Sequence, residues 1–207
     1  TVDYYGAKKP VHYFVKRSTE PCMPVIIFDD ADLTGRSASL IYRVLNENGS
    51  LSGKTCTTTV ELYDYKMKKI FERHDTIEPD GYMVEMADIV LDKAHTTSPM
   101  LYFKVDLKDD SGNLIARNWY IENFYSKQDA IFDAPKCELS VVQQGNVLSI
   151  TNSSGAVPAV GVDVAVEGEA HTLDLSDNML WIDPGETVTV TMNTSSKAVV
   201  SCWNIAR

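Results

Sequence analysis

Residues 37–65 read SASLIYRVLNENGSLSGKTCTTTVELYDY, and this stretch predicts two β-strands joined by a turn. In the first strand, the side chains expected on one face are Ala38, Leu40, Tyr42 and Val44. In the second strand, they are Cys56, Thr58, Val60 and Leu62. A period of two residues places such side chains together on one face of a sheet, where a core can cover them. Between the strands, Asn46–Gly49 supplies residues that tolerate the positive φ of a turn.

Similar strand patterns extend over most of the chain. Before residue 125 they cover 25–28, 37–46, 55–65, 68–77, 82–91, 100–107 and 114–124. After residue 135 they cover 138–143, 147–152, 160–166, 180–182, 187–192 and 199–204. Strands that recur every 8–12 residues or so, with turn residues between them, are typical of an immunoglobulin-like sandwich. A linker is expected at Asp129–Pro135, because proline interrupts strand pairing.

The first residues, TVDYYGAKKPVHYFVKRSTEP (1–21), contain the clearest helix pattern in the sequence. Pro10 suits the first helical position, since proline lacks an N–H and its φ is preset. Val11, Phe14 and Val15 follow an i, i+3, i+4 spacing, which predicts an apolar stripe that needs a partner surface. The sequence has no starting Met and no signal peptide pattern, so we expect this helix to be the last helix of a preceding domain.

These patterns together predict an all-β protein: two tandem immunoglobulin-like β-sandwiches preceded by one short helix. The expected boundaries are 1–21 for the helical segment, 22–133 for the first sandwich and 134–207 for a second, smaller sandwich.

Three short motifs resemble a known enzyme family. The first comprises Asp3-Tyr4-Tyr5-Gly6, Lys9-Pro10, Tyr13, Lys16-Arg17 and Pro21. The second is Ala116-Arg117-Asn118-Trp119-Tyr120, and the third is Ser176-Asp177-Asn178 with Asp183-Pro184-Gly185-Glu186. In this order they resemble the C-terminal region of glycoside hydrolase family 2, closest to its β-mannosidases and exo-β-glucosaminidases.

The resemblance implies that residues 1–21 end a catalytic barrel with its eighth helix, and that two non-catalytic sandwiches follow and support that barrel. Val11, Phe14 and Val15 would then dock on the missing barrel of the same polypeptide. The parent enzyme would be a bacterial, periplasmic or secreted hydrolase of terminal β-glycosides, specifically β-mannosides, with a retaining mechanism. Its two catalytic glutamates match no residue here, so no catalytic residue, and no enzymatic activity, is predicted for this chain.

Composition excludes several classes of partner. The net charge is −10, and an acidic surface repels phosphate backbones and anionic membranes. No apolar run approaches the length of about 18–20 residues that a transmembrane helix needs. We therefore expect neither a nucleic acid nor a membrane as partner.

Neither a metal nor another cofactor is predicted. Asp29-Asp30-Ala31-Asp32 before Gly35 could hold calcium, but the cluster lacks the ordered alternation of an EF-hand loop, so a solvated acidic turn is the favoured interpretation. The histidines His12, His74, His95 and His171 show no metal-binding spacing.

The four cysteines are Cys22, Cys56, Cys137 and Cys202. Their wide separation argues against a zinc site. Cys137 and Cys202 could fall on the first and last strands of one domain. A disulfide between them and isolated buried thiols both remain open, with buried thiols favoured.

Exposed aromatics provide an alternative function, because carbohydrate-binding modules stack sugars on them; Trp119 and Trp181 are the candidates. Leu180 and Ile182 fit the core-facing positions of their strand, which places Trp181 on the opposite face. A domain contact there is favoured over a sugar site. Trp203 is expected in the smaller core. An adhesion or receptor-type sandwich is a third hypothesis, and the barrel-like start argues against it.

Overall fold

The computed structural model describes Val2, 8–123, 127–168 and 173–205. In these ranges the chain forms one α-helix, α1 (Pro10–Ser18), and then strands of antiparallel sheets. The all-β prediction is therefore confirmed. The motif residues Asp3-Tyr4-Tyr5-Gly6, together with His171, lie outside the described residues.

The strands run in chain order from β1 to β14. Their bounds are β1 (Cys22–Ile27), β2 (Ala38–Asn46), β3 (Cys56–Asp64), β4 (Lys69–Ile77), β5 (Met83–Glu85), β6 (Ile89–Leu91), β7 (Leu101–Asp109), β8 (Leu114–Glu122), β9 (Leu139–Gln144), β10 (Val147–Asn152), β11 (Ala159–Val166), β12 (Leu180–Ile182), β13 (Thr187–Thr191) and β14 (Ala198–Ser201). A short 3-10 helix, Gln128–Asp133, occupies most of the predicted linker. No described helix is long and apolar enough to cross a bilayer.

Contacts divide the chain into two units. One contains Arg17–Asp133, and the other joins the described residues through Lys16 to those from Ala134 onward. Helix α1 therefore belongs almost entirely to the unit of the second sandwich. That the opening segment ends a catalytic barrel stays a prediction.

The Arg17–Asp133 unit contains two four-stranded sheets. In the first, β2 pairs with β1, β5 and β6, and in the second the order is β4-β3-β7-β8. Their inward side chains form a core that includes Leu40, Tyr42, Val60, Leu62, Phe103 and Val105. The alternation in residues 37–65 therefore predicts the buried face correctly.

Residues 82–91, predicted as one strand, form two. β5 pairs with Arg43–Leu45 and β6 pairs with Ala38–Leu40, both on β2. Between them the backbone leaves the sheet, because the Arg73 guanidinium donates hydrogen bonds to the carbonyls of Ala87 and Asp88, at 2.7 and 3.1 Å. The Arg73 side chain, which comes from β4, thus binds carbonyl groups that would have paired with β2 in a continuous strand.

The second sandwich contains two three-stranded sheets, in the orders β13-β10-β9 and β12-β11-β14. Its core includes Leu148, Ile150, Val162, Val164, Ile182 and Val190. Strand β11 has a bulge at Gly161, whose φ is +61°. Glycine adopts this left-handed conformation without the steric cost that a Cβ brings.

Candidate functional site

Helix α1 is held on the second sandwich by Tyr13. Its side chain is 3% exposed and belongs to the core cluster that also contains Leu175 and Val164. Burial and the nearby carboxylates of Asp174, Asp163 and Asp177 raise the pKa of the Tyr13 phenol to about 12. The phenol is therefore neutral at physiological pH, as a ring in an apolar core should be.

Two lysines near the ends of the helix add polar contacts to the same sandwich. The Lys8 ammonium pairs with the carboxylate of Asp174. The Lys16 ammonium donates a hydrogen bond to the backbone carbonyl of Ser176. Anchors on either side of Tyr13 define which side of α1 faces the sandwich.

The stripe predicted to need a partner is not the side that packs into this core. Val11 and Val15 are 47% and 46% exposed, and Phe14 is half-buried. Tyr13 lies two positions from both valines, on another side of the helix. Sequence reasoning missed Tyr13 because its partners are more than a hundred residues away in the chain. Docking of Val11, Phe14 and Val15 on a barrel stays a prediction.

The two candidate sugar-binding tryptophans are both buried. Trp119 and Trp181 are each 2% exposed, so neither ring is open to solvent. The domain contact favoured for Trp181 stays a prediction. The Trp181 indole N–H donates to the carboxylate of Asp183 at 2.9 Å. Leu180 and Ile182 pack in the core of the second sandwich, as predicted. A stacking platform needs an exposed ring, and the structure offers none at these positions; sugar binding by them stays a prediction without structural support.

The residues of the third motif hold loops in place. Asn178 is 5% exposed; its amide oxygen accepts from the Val164 N–H at 2.9 Å and its amide nitrogen donates to Asp163 at 2.7 Å. In the following turn, the Asp183 N–H donates to the Glu186 carboxylate at 2.7 Å. These contacts explain the motif as turn chemistry of the second sandwich rather than as a reactive site.

Trp203 lies against the bulge of β11. A Cβ built on Gly161 would lie 2.5 Å from two ring atoms of this indole. Because real Cβ atoms do not approach so closely, only glycine allows the ring to cover the backbone here. Trp203 is half-buried at this position.

The acidic cluster at Asp29-Asp30-Ala31-Asp32 binds its own loop. Asp30 accepts from the Asp32 N–H at 3.0 Å and from the Arg36 guanidinium at 2.8 Å. Asp32 accepts from the Thr34 N–H at 2.9 Å. These hydrogen bonds lower the pKa of the Asp30 carboxyl, and the Thr34 hydroxyl together with the Thr34 N–H lowers the pKa of the Asp32 carboxyl. Within the described ranges, no group of three or more His, Cys, Asp or Glu side chains could hold a metal ion.

Charged side chains of alternating sign cross the sheet β4-β3-β7-β8. We call this set the charge ladder; in order it contains Lys69, Glu61, Lys104, Asp106 and Arg117. Lys69 lies 2.8 Å from Glu61, and Arg117 holds Asp106 with two hydrogen bonds of 2.7 and 2.9 Å. Burial opposes ionisation of Glu61, but Lys104 and Lys69 outweigh it and lower the pKa of that carboxyl. Each charged group of the ladder lies beside a group of opposite sign, which makes the ladder a structural element rather than an acid–base site.

Comparison with known proteins adds three findings. Residues 132–203 match the family model Ig_mannosidase, an Ig-fold domain. The fold of 99% of this chain matches 28% of the exo-chitosanase CsxA of Amycolatopsis orientalis, with a TM-score of 0.73 and 18% sequence identity. It also matches 24% of a β-D-mannosidase from Dictyoglomus thermophilum, again over 99% of this chain, with a TM-score of 0.66 and 20% identity. No curated protein sequence matches the chain.

At these identities the solved structures show a shared fold, and the chain spans about a quarter of each enzyme. Together with the family model, they confirm the resemblance to the C-terminal region of family 2 glycoside hydrolases that the sequence motifs predict.

Proposed function

We propose that this chain is the non-catalytic C-terminal β-sandwich region of a glycoside hydrolase resembling β-mannosidases, and that it supports a catalytic barrel. The Ig_mannosidase match over residues 132–203 supports the identity of the second sandwich. The fold match to 28% of an exo-chitosanase and 24% of a β-D-mannosidase supports a place within a larger enzyme.

The observation that carries the scaffold role is the two-sided helix α1. Tyr13 fixes one side of the helix in the second sandwich, while Val11 and Val15 remain about half exposed on another side. A helix anchored in this way presents its valines at a defined position. Burial of two such side chains against a barrel would gain roughly 1–2 kcal/mol each, which is enough to orient a joined domain.

The parent reaction is proposed from the resemblance alone. It would be hydrolysis of terminal β-glycosides, specifically β-mannosides, by two barrel glutamates in a retaining mechanism. The two matched enzymes, an exo-chitosanase and a β-D-mannosidase, are named for different substrates. The shared fold therefore does not determine which sugar the parent enzyme would release. Export to the periplasm or medium belongs to the same proposal.

The test begins with the coding sequence ahead of Thr1. The proposal expects an open reading frame for a barrel with a glutamate at the ends of two strands. A stop codon directly upstream would contradict it.

In the longer polypeptide, the double variant V11D/V15D should shorten the half-life of glycosidase activity on heating several-fold, because charged side chains would have to be buried against the barrel. Its matched control is V142D, which adds a charge at another exposed valine, 54% exposed on β9. Equal half-lives for all three proteins would show that α1 does not dock on the barrel.

A further inference from the structure

Two thiols meet where the second sandwich begins and ends. Cys137 lies just before β9 and Cys202 directly after β14, and their sulfurs are 3.2 Å apart. Both side chains are buried, at 0% and 7% exposure. Cys22 and Cys56, the other free thiols of the chain, lie in the Arg17–Asp133 unit. Cys137 and Cys202 are therefore neighbours rather than isolated thiols.

Asn204 holds the two cysteines in this position. Its amide oxygen lies 3.7 Å from each sulfur and also accepts from the Val160 N–H at 3.1 Å. Its amide nitrogen donates to the carbonyls of Pro135 and Pro158, at 3.1 and 2.9 Å. The Cys137 N–H donates to the Asn204 carbonyl at 2.8 Å. The backbones on which the thiols stand are thus fixed to each other by hydrogen bonds.

We propose that Cys137 and Cys202 form a redox pair, which a low-molecular-weight disulfide such as oxidised glutathione converts into an intramolecular disulfide. A disulfide bond is about 2.05 Å long. The two sulfurs, 3.2 Å apart, therefore already lie close to bonding distance. Neither cysteine is needed for the proposed scaffold function, so the pair can be tested independently of it.

The reaction is thiol–disulfide exchange. When the backbone around the two cysteines opens locally, the Cys137 thiolate attacks one sulfur of oxidised glutathione, forms a mixed disulfide and releases one glutathione thiolate. Cys202 then loses its proton and attacks the Cys137 sulfur, which forms the protein disulfide and releases the second glutathione. Two electrons pass from the cysteines to the glutathione disulfide, and the two thiol protons end on the released glutathiones.

Cys137 is the better first nucleophile of the two. A hydrogen bond from the Cys202 thiol lowers the pKa of Cys137, against the opposing effect of burial, and Lys136 acts in the same favourable direction. The same interaction with Cys137, together with burial, raises the pKa of Cys202. Cys137 therefore loses its proton more readily than Cys202 does, which makes Cys137 the first to attack.

The disulfide would connect positions 65 residues apart and would close almost the whole second sandwich into one loop. Cross-links over long loops stabilise mainly by restricting the unfolded chain. We expect the oxidised protein to unfold at a midpoint about 5–15 °C above that of the reduced protein.

The experiment uses the 207-residue chain, equilibrated with oxidised glutathione or with dithiothreitol, acid-quenched, unfolded and alkylated for mass spectrometry. The reduced sample should carry an alkyl group on all four cysteines, and the oxidised sample only on Cys22 and Cys56. Peptide mapping should show Cys137 linked to Cys202. The double variant C22S/C56S should behave like the unaltered chain, and C137S should form no internal link.

Four alkylated cysteines after oxidation, a link that involves Cys22 or Cys56, or glutathione left on Cys137 would each overturn the proposal. Peptide mapping of the unaltered chain decides the question even if C137S does not fold.

Discussion

Gly161 combines two demands on a single residue: a left-handed backbone and a place for the Trp203 ring. Its φ is +61°, and an added Cβ would lie 2.5 Å from the indole. The variant G161A should therefore lower the free energy of unfolding by roughly 2–4 kcal/mol, because backbone strain and overpacking add.

The matched control is G155A, since no atom lies within 4 Å of a Cβ built at Gly155. The free energy of unfolding of G155A should stay within about 0.5 kcal/mol of that of the unaltered chain. Urea unfolding followed by tryptophan fluorescence measures both variants, and a similar loss in each would contradict the packing argument.

Glu122 should make stability depend on pH. Burial, and secondarily the nearby Asp30 charge, raise the pKa of Glu122 to about 7. In the unfolded chain the same carboxyl titrates near 4.3. Between these values the folded protein keeps a proton that the unfolded chain has released, so this contribution to stability is full below about pH 4 and is lost as the pH rises through about 7.

The variant E122Q should remove this contribution to the pH dependence. The difference in free energy of unfolding between E122Q and the unaltered chain should shift by about 2–3 kcal/mol in favour of E122Q when the pH is raised from 4 to 8. Denaturant unfolding at the two pH values measures the difference, and E20Q, at an exposed glutamate, is the control. Parallel pH profiles for the unaltered chain and E122Q would show that Glu122 does not titrate in this range.

Individual residues differ in how far the sequence could predict them. Leu40 and Val60 are buried as their period predicts, because alternation is a local signal. Asn178 and Asn204 are also buried, at 5% and 1%, yet their polarity predicts exposure. They are buried because backbone groups of distant loops need them as hydrogen-bond partners. The residues next to them in the sequence do not indicate which distant groups these are.

At the scale of elements, helix α1 should depend on Tyr13 for its stability. A segment of nine residues is too short to form a stable helix alone, so tertiary contacts must hold it. The variant Y13A should lower the free energy of unfolding of the second sandwich by roughly 3–5 kcal/mol, because the ring leaves a cavity in its core. Hydrogen exchange of the α1 amides should therefore become much faster.

Y13F is the matched control because it keeps the ring, and its exchange should stay near that of the unaltered chain. V11A, at an exposed position of the same helix, should also change little. If Y13A exchanged no faster than V11A, α1 would owe its stability to other contacts.

The strand predictions show where sequence patterns succeed at this scale. β10 and β12 have the bounds that the alternation predicts, because turn residues mark both ends of each. The break between β5 and β6 was missed, since it depends on Arg73, which reaches across from β4.

At the scale of the whole molecule, the 207-residue chain alone should not hydrolyse a nitrophenyl β-mannoside. Retaining glycosidases need two carboxyl groups about 5–5.5 Å apart, one as acid/base and one as nucleophile. The buried carboxylates Asp106 and Glu61 are instead paired with arginine and lysine side chains. Release of nitrophenol above the buffer rate, retained after further purification, would contradict this expectation.

The sandwich architecture was predictable from the sequence, whereas the candidate site was predictable only in part. Strand spacing and turn residues are local and recur along the chain, so they identify a sandwich without knowledge of its contacts. The side of α1 that packs, and the burial of Trp181, depend on which distant surfaces meet. Those surfaces follow from the complete tertiary structure.

The charge ladder also has a consequence for how the strands find their partners. Glu61 pairs with Lys104, and Asp106 pairs with Arg117. A slip of β7 by two residues along β3 in one direction would set Asp106 opposite Glu61, and a slip of β7 by two residues along β8 in the other direction would set Lys104 opposite Arg117. Like charges directly opposite each other are destabilising, and a slip of one residue would turn every side chain to the wrong face. The alternating charges thus favour the native alignment of these strands over alignments displaced by two residues.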